Sequence, residues 1–214
     1  MSVIVPTIMA ETVDQLRDST ARIQPFARRV HVDISDGEFA PTFLLTAEQL
    51  SWPEGWDVDI HAMVARPSEH MAQFIKLRPS MVVLHAEAQE DVVPHLQALK
   101  QAGIKAGVAL LKTTVPATVQ AAIENADHVM IFSGDLGKFG GVASMMQLEK
   151  IRLIKKIKPN VEIGWDGGVK VENAYTLTQG GVDVLNVGGE IAKAVNPAET
   201  YNELVKEINK HGVI

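Results

Sequence analysis

The stretch Val30-His31-Val32-Asp33-Ile34 decides the fold. Three branched aliphatic residues alternate with two polar ones, and strand side chains alternate faces. Val30, Val32 and Ile34 therefore share one face, and His31 and Asp33 share the other. Comparable apolar runs recur at 3–6, 58–63, 81–85, 106–110, 129–132, 161–165 and 184–187. Helical patterns separate them near 13–23, 67–76, 92–101, 116–125, 145–157, 173–179 and 197–210, with a short weak helix at 47–50 inside a long loop. Pro67, Pro116 and Pro197 suit first helical turns, where a missing N–H costs nothing. Gly103 and the pair Gly180-Gly181 suit left-handed helix ends. Strands separated by helices must run parallel with right-handed crossovers. Eight such units predict a single-domain (β/α)8 TIM barrel over residues 1–214. An open doubly wound sheet is the alternative, but Pro6-Thr7-Ile8-Met9-Ala10 lacks the glycine-rich first turn that such sheets use.

Composition narrows the function. A 46% hydrophobic chain of 214 residues can bury one sizeable core. A net charge of -6 argues against a broad nucleic-acid surface. The cluster Lys155, Lys156, Lys158 reads as a solvated helix end. With no cysteine, there is neither a disulfide nor a thiolate ligand, which suits a reducing cytoplasm. The opening Met1-Ser2-Val3-Ile4-Val5-Pro6 lacks a basic leader segment. No run reaches the roughly 20 apolar residues that span a bilayer, so no membrane partner is expected.

In a (β/α)8 barrel the C-terminal strand ends gather at one face. His31 and Asp33 fall there on one strand, His61 on the next, and Asp166 at the end of 161–166 with its apolar neighbours in the opposite phase. Two imidazoles and two carboxylates suit a divalent metal. Two carboxylates flanking a bound sugar could also move a proton on and off carbon. Singly, each residue has an ordinary explanation: a structural histidine, or an aspartate forming a turn before Gly-Gly. Their shared phase and placement favour a site. The pairs Gly140-Gly141, Gly167-Gly168 and Gly188-Gly189 follow late strands, where backbone N–H groups often cradle phosphate, although turn chemistry alone would also explain any one of them.

At these positions the chain resembles the ribulose-phosphate 3-epimerase family. His31-Val32-Asp33-Ile34-Ser35-Asp36-Gly37 is similar to H-x-D-x-M-D-G, and Asp59-Ile60-His61-Ala62-Met63-Val64 to D-x-H-L-M-V. His85-Ala86-Glu87-Ala88 resembles H-x-E-A, Phe139-Gly140-Gly141 the end of P-G-F-G-G, and Asp166-Gly167-Gly168-Val169 D-G-G-[IV]. The D-x-K-x-x-D motif of related decarboxylases is absent. The resemblance implies a barrel of the ribulose-phosphate-binding type. It also implies one divalent metal (zinc, iron(II), manganese or cobalt) on His31, Asp33, His61 and Asp166, with Asp33 and Asp166 as the acid/base pair. The implied substrate is a sugar phosphate, D-ribulose 5-phosphate, interconverted with D-xylulose 5-phosphate in the pentose-phosphate pathway. Thr7, His61, Met63, Phe139, Gly140, Gly141, Gly167, Gly168, Gly188 and Gly189 would contact it. A homo-oligomer is implied as well.

Several positions depart from the family. Ser35 replaces a methionine and Ala62 a leucine, which could enlarge the pocket toward a hexulose phosphate such as allulose 6-phosphate. Lys112 replaces an asparagine, and the loop around Lys138 is one residue longer. Gly189 stands for a serine and Trp165 for an aliphatic residue. The other alternative is a non-catalytic barrel that binds a sugar phosphate.

Overall fold

The computed structural model describes residues 2–138 and 141–210. Eight parallel strands close into a barrel in chain order: β1 (Val3–Met9), β2 (Arg29–Ser35), β3 (Asp57–Met63), β4 (Met81–His85), β5 (Lys105–Leu110), β6 (His128–Phe132), β7 (Glu162–Asp166) and β8 (Val184–Val187). Closure comes from β1 against β8, with Val5 beside Asn186 and Pro6 beside Val187. The open-sheet alternative is thereby excluded.

Alternation of side chains divides the core in two. The outward phase, including Val30, Val32, Ile60, Leu84, Val108 and Ile163, packs beneath the helices in one continuous apolar layer. Inside the barrel a smaller cluster of Met81, Val83, Ala109, Met130 and Phe132 fills the lumen. Strands buried on both faces explain why the sequence gives near-continuous apolar runs there.

Local chemistry sets the helix ends. α1 (Val13–Ile23) starts where the Thr12 side chain accepts from Gln15 N at 3.2 Å, a cap worth about 1 kcal/mol. Tight turns precede α2 (Met71–Leu77), α4 (Gln120–Asn125) and α5 (Glu149–Ile157), where the sequence predicts unbroken helices. After Pro67 the reason is visible: Glu69 N reaches Arg66 O and His70 N reaches Pro67 O, i to i+3 bonds that wind the first turn more tightly. α3 (Val93–Gln101) ends at Gly103, whose φ of +79° is left-handed as expected. After α6 (Val171–Gln179), however, Gly180 remains right-handed and Gly181 alone makes the turn, at φ +97°. The short α7 (Gly189–Ala192) escapes the sequence pattern because four residues carry no periodicity. α8 (Pro197–Ile208) begins with Asn196 accepting from Glu199 N.

The lysine cluster is less solvated than expected. Lys155 Nζ donates to Val161 O at 2.6 Å and Lys158 Nζ to Ala126 O at 2.5 Å, so both tie α5 to neighbouring loops. No helix among the described residues is long and apolar enough to cross a membrane.

Candidate active site

β2, β3 and β7 bring His31, Asp33, His61 and Asp166 together at the C-terminal mouth, one ligand atom from each within 4.8 Å of all the others. The β2–β3 register sets Asp33 beside His61. His61 Nδ1 lies 2.9 Å from Asp33 Oδ1 and 3.6 Å from Asp166 Oδ2. His31 Nε2 lies 3.3 Å from Asp33 Oδ1 and 3.8 Å from Asp166 Oδ2. All four are buried, at 0–9% exposure.

Their electrostatics follow from crowding. Burial opposes the charged form of His31, but Asp33, followed by Asp166 and Asp59, outweighs it and raises the imidazole pKa. For Asp33 burial is likewise outweighed, by His31 and His61, so its pKa falls. Asp166 has burial and the Asp33 charge acting together against its ionised form, and its pKa rises. Two carboxylates sharing a site are thus pushed apart.

The donor set fits a divalent metal. His31 Nε2 is buried and makes no hydrogen bond among the described residues. In its neutral form such a nitrogen would be satisfied by coordinating an ion shared with the two carboxylates and the second imidazole. No permanently charged cation neutralises the two acids from within hydrogen-bond reach among the described residues.

Asp33 and Asp166 line a cavity of about 570 Å³, while the buried His31 and His61 do not. Thr7, Met63, Gly141, Gly167, Gly168, Gly188 and Gly189 also line it. His61 does not, and Phe139 and Gly140 lie outside the described residues. Thr7 belongs to a strand that runs on to Met9, and its buried hydroxyl has no partner among the described residues. Gly167 and Gly168 require their residue type. Both have positive φ, and a Cβ would stand 2.0 Å from Gly134 N or 2.2 Å from Ala143 N. Trp165, the atypical neighbour of Asp166, faces the helices and donates Nε1–H to Gly167 O at 3.0 Å, pinning this turn.

The departures resolve unequally. Ala62 belongs to the outward phase and packs under the helices, so it does not enlarge the cavity. Ser35 is buried at the end of β2, where its hydroxyl accepts from Gly37 N at 3.5 Å. Lys112 pairs with Asp135 across 3.5 Å.

Other residues at the site are not assigned to it from the sequence, although His85 falls in the H-x-E-A stretch and Lys138 in the longer loop. Asn186, the lone polar residue in Val184-Leu185-Asn186-Val187, lines the cavity with its Oδ1 unpartnered among the described residues. Its isolation in an apolar strand is a usable signal. Lys138, Lys170 and Lys193 line the glycine side of the cavity, together with Asp135, Glu190 and Glu203. His85 ends β4 as His61 nearly ends β3, and its Nε2 lies 2.8 Å from His61 Nε2. Burial, against the pull of Glu87, lowers its pKa to about 4.

A closed parallel barrel with paired acids, imidazoles and a glycine-lined cavity at its C-terminal mouth has the layout of a (β/α)8 enzyme. The chain belongs to the ribulose-phosphate 3 epimerase family, whose model matches residues 3–192. It is accordingly an isomerase of the carbohydrate-epimerase kind. It is 31% identical over 191 residues to the chloroplastic ribulose-5-phosphate-3-epimerase of Arabidopsis thaliana, covering 84% of this chain and 66% of that protein. With the ribulose-phosphate 3-epimerase of Aquifex aeolicus it shares 29% identity over 80% of each chain. With that of Escherichia coli K12 it shares 26%, over 97% of this chain and 96% of the other. Among solved structures, orotidine 5'-phosphate decarboxylase from Pyrococcus horikoshii OT3 superposes with a TM-score of 0.68, covering 98% of this chain and all of the other. At 16% identity that likeness concerns the fold alone.

Proposed function

We propose that this chain is a metal-dependent ketose-phosphate 3-epimerase that interconverts D-ribulose 5-phosphate and D-xylulose 5-phosphate. The observation that carries the proposal is the convergence of Asp33 and Asp166 on one cavity, beside two buried imidazoles that complete a metal-ligand set. His31, Asp33, His61 and Asp166 would hold the ion; family membership implies zinc, iron(II), manganese or cobalt, and this donor set suits several divalent ions. When bound, it supplies Lewis-acid stabilisation of the negative charge that develops beside a ketone as a proton leaves carbon.

The residues of the chain do the rest. One aspartate takes the C3 proton on its carboxylate oxygen, and the other delivers a proton to the opposite face. Thr7 offers its free hydroxyl to the sugar. Met63 and Phe132 give the cavity apolar lining that limits water near the reacting carbon. The glycines of the last two βα loops let backbone N–H groups approach the phosphate, and Lys138, Lys170 and Lys193 offer ammonium groups there among Asp135, Glu190 and Glu203. One barrel domain over residues 1–214, a homo-oligomeric assembly and a cytoplasmic location belong to the same reading, on family membership.

The test is a panel of pentulose and hexulose phosphates, run with metal analysis on the same sample. Ribulose 5-phosphate is expected to give the highest kcat/KM. Preference for allulose 6-phosphate would reassign the substrate, and turnover of none would leave a sugar-phosphate-binding barrel.

A further inference from the structure

His61 is held from behind by a chain of hydrogen bonds that crosses three strands. Its Nε2 meets His85 Nε2 at 2.8 Å. His85 Nδ1 faces Glu87 Oε2 at 3.3 Å. Glu87 Oε1 accepts from Leu111 N at 2.9 Å and from the Thr114 hydroxyl. Lys150 Nζ braces the same segment by donating to Leu111 O and Lys112 O. Phe39 and Phe132 flank the His85 ring at centroid distances of 4.6 and 5.8 Å. His85 is buried and does not line the cavity, so it can act only through His61.

The direction of this chain is fixed from its far end. A backbone N–H can only donate, so Leu111 makes Glu87 Oε1 an acceptor. An ionised carboxylate accepts through both oxygens, so His85 carries its proton on Nδ1 toward Oε2. His85 Nε2 is then a lone pair, and it can meet His61 Nε2 only if that nitrogen carries the hydrogen. His61 Nδ1 is thereby left with its lone pair facing Asp33, Asp166 and His31, and its 2.9 Å approach to Asp33 Oδ1 becomes a contact of two acceptors that a cation held between them would satisfy. A neutral histidine can ligate a metal only through such a nitrogen, and the bond made by its other nitrogen sets the tautomer.

We infer that His85 and Glu87 are positioning residues that lock His61 in its metal-ligating tautomer. This inference rests on the metal reading given above.

Glu87→Gln is the sharpest probe, because it preserves shape and reverses polarity. An amide that receives the Leu111 N–H on its oxygen turns its NH2 toward His85 Nδ1. His85 then carries its proton on Nε2, which confronts the His61 N–H. His85→Leu removes the acceptor, whereas His85→Gln keeps an oxygen near the position of Nε2. Each full-length variant is stripped of metal and titrated with Zn²⁺ in competition with a chromogenic chelator, and the melting temperature of each metal-free form is recorded. Glu87→Gln and His85→Leu are expected to lose about 10- to 100-fold in Zn²⁺ affinity, and His85→Gln to retain most of it. At saturating Zn²⁺, KM should be unchanged. Should metal-free His85→Leu not fold, the contrast between Glu87→Gln and His85→Gln decides. Wild-type Zn²⁺ affinity in both Glu87→Gln and the folded His85 variants would overturn the relay alone. If wild type itself bound no Zn²⁺, Mn²⁺ or Co²⁺, the metal reading and the relay would fall together.

Discussion

The barrel lumen holds two polar clusters, one at each end, and they are answered differently. At the N-terminal end, Arg29 Nε donates to Asp59 Oδ2 at 2.7 Å, and its Nη atoms donate to both oxygens of Glu162 at 3.0 and 3.1 Å. His128 Nδ1 adds a contact to Glu162 at 2.7 Å, and Gly164 leaves room for the ring, since a Cβ there would lie 2.2 Å from His128 Nε2. A permanent cation thus neutralises the acids, as buried carboxylates require. At the C-terminal end two acids, both more buried than Glu162, meet only imidazoles, and His31 Nε2 makes no hydrogen bond among the described residues. One cluster is closed and serves the fold. The other is open toward a cavity and short of positive charge, which is the condition of a metal site.

That contrast can be broken most forcefully at the mouth. Asp33→Asn and Asp166→Asn are each expected to lower kcat by about 10³-fold or more while the barrel stays folded, as checked by steady-state kinetics beside circular dichroism. Near wild-type turnover in either variant would refute the two-base assignment. At the other end the outcome reverses. Arg29→Met strands Asp59 and should cost about 2 kcal/mol of stability, a figure reduced from that of a fully buried pair because Arg29 and Glu162 are partly exposed. Chemical denaturation should show the loss, with kcat and Zn²⁺ affinity unchanged.

Acid titration sharpens the comparison with a smaller effect. Burial would raise the Glu162 pKa, but His128 and Arg29 outweigh it and hold the carboxyl below its ordinary 4.5. A folded-state pKa below the unfolded value gives stability that is present above the unfolded value and lost as pH falls through the folded one. The melting temperature of Glu162→Gln should therefore lie below that of wild type at pH 7, and the gap should close as pH drops under about 4.5. The gap is modest because the Glu162 side chain is 38% exposed. A gap constant from pH 7 to 3 would deny Glu162 this role.

Much of the fold is legible in the sequence because a buried parallel strand leaves a run of aliphatic residues whatever its neighbours are. All eight strands lie within a few residues of where the runs predict them, and β4 and β8 match at both ends. The quartet is legible for a related reason: phase and strand-end position are properties of single strands. What stays hidden depends on pairs of strands. The His61–His85 contact needs the β3–β4 register, and the Arg29 cluster needs β2, β3, β6 and β7 to close around one lumen. Ala62 misleads for want of the same phase argument that places His61 correctly. Counted from His61, its neighbour in sequence must face the helices.

Proton exchange measures the central claim most directly. Metal-loaded protein is incubated with D-ribulose 5-phosphate in deuterated water, and C3 is followed by NMR. Two carboxylates flanking the reacting carbon predict xylulose 5-phosphate carrying deuterium at C3. A folded, metal-bound protein that leaves C3 protonated would contradict the account.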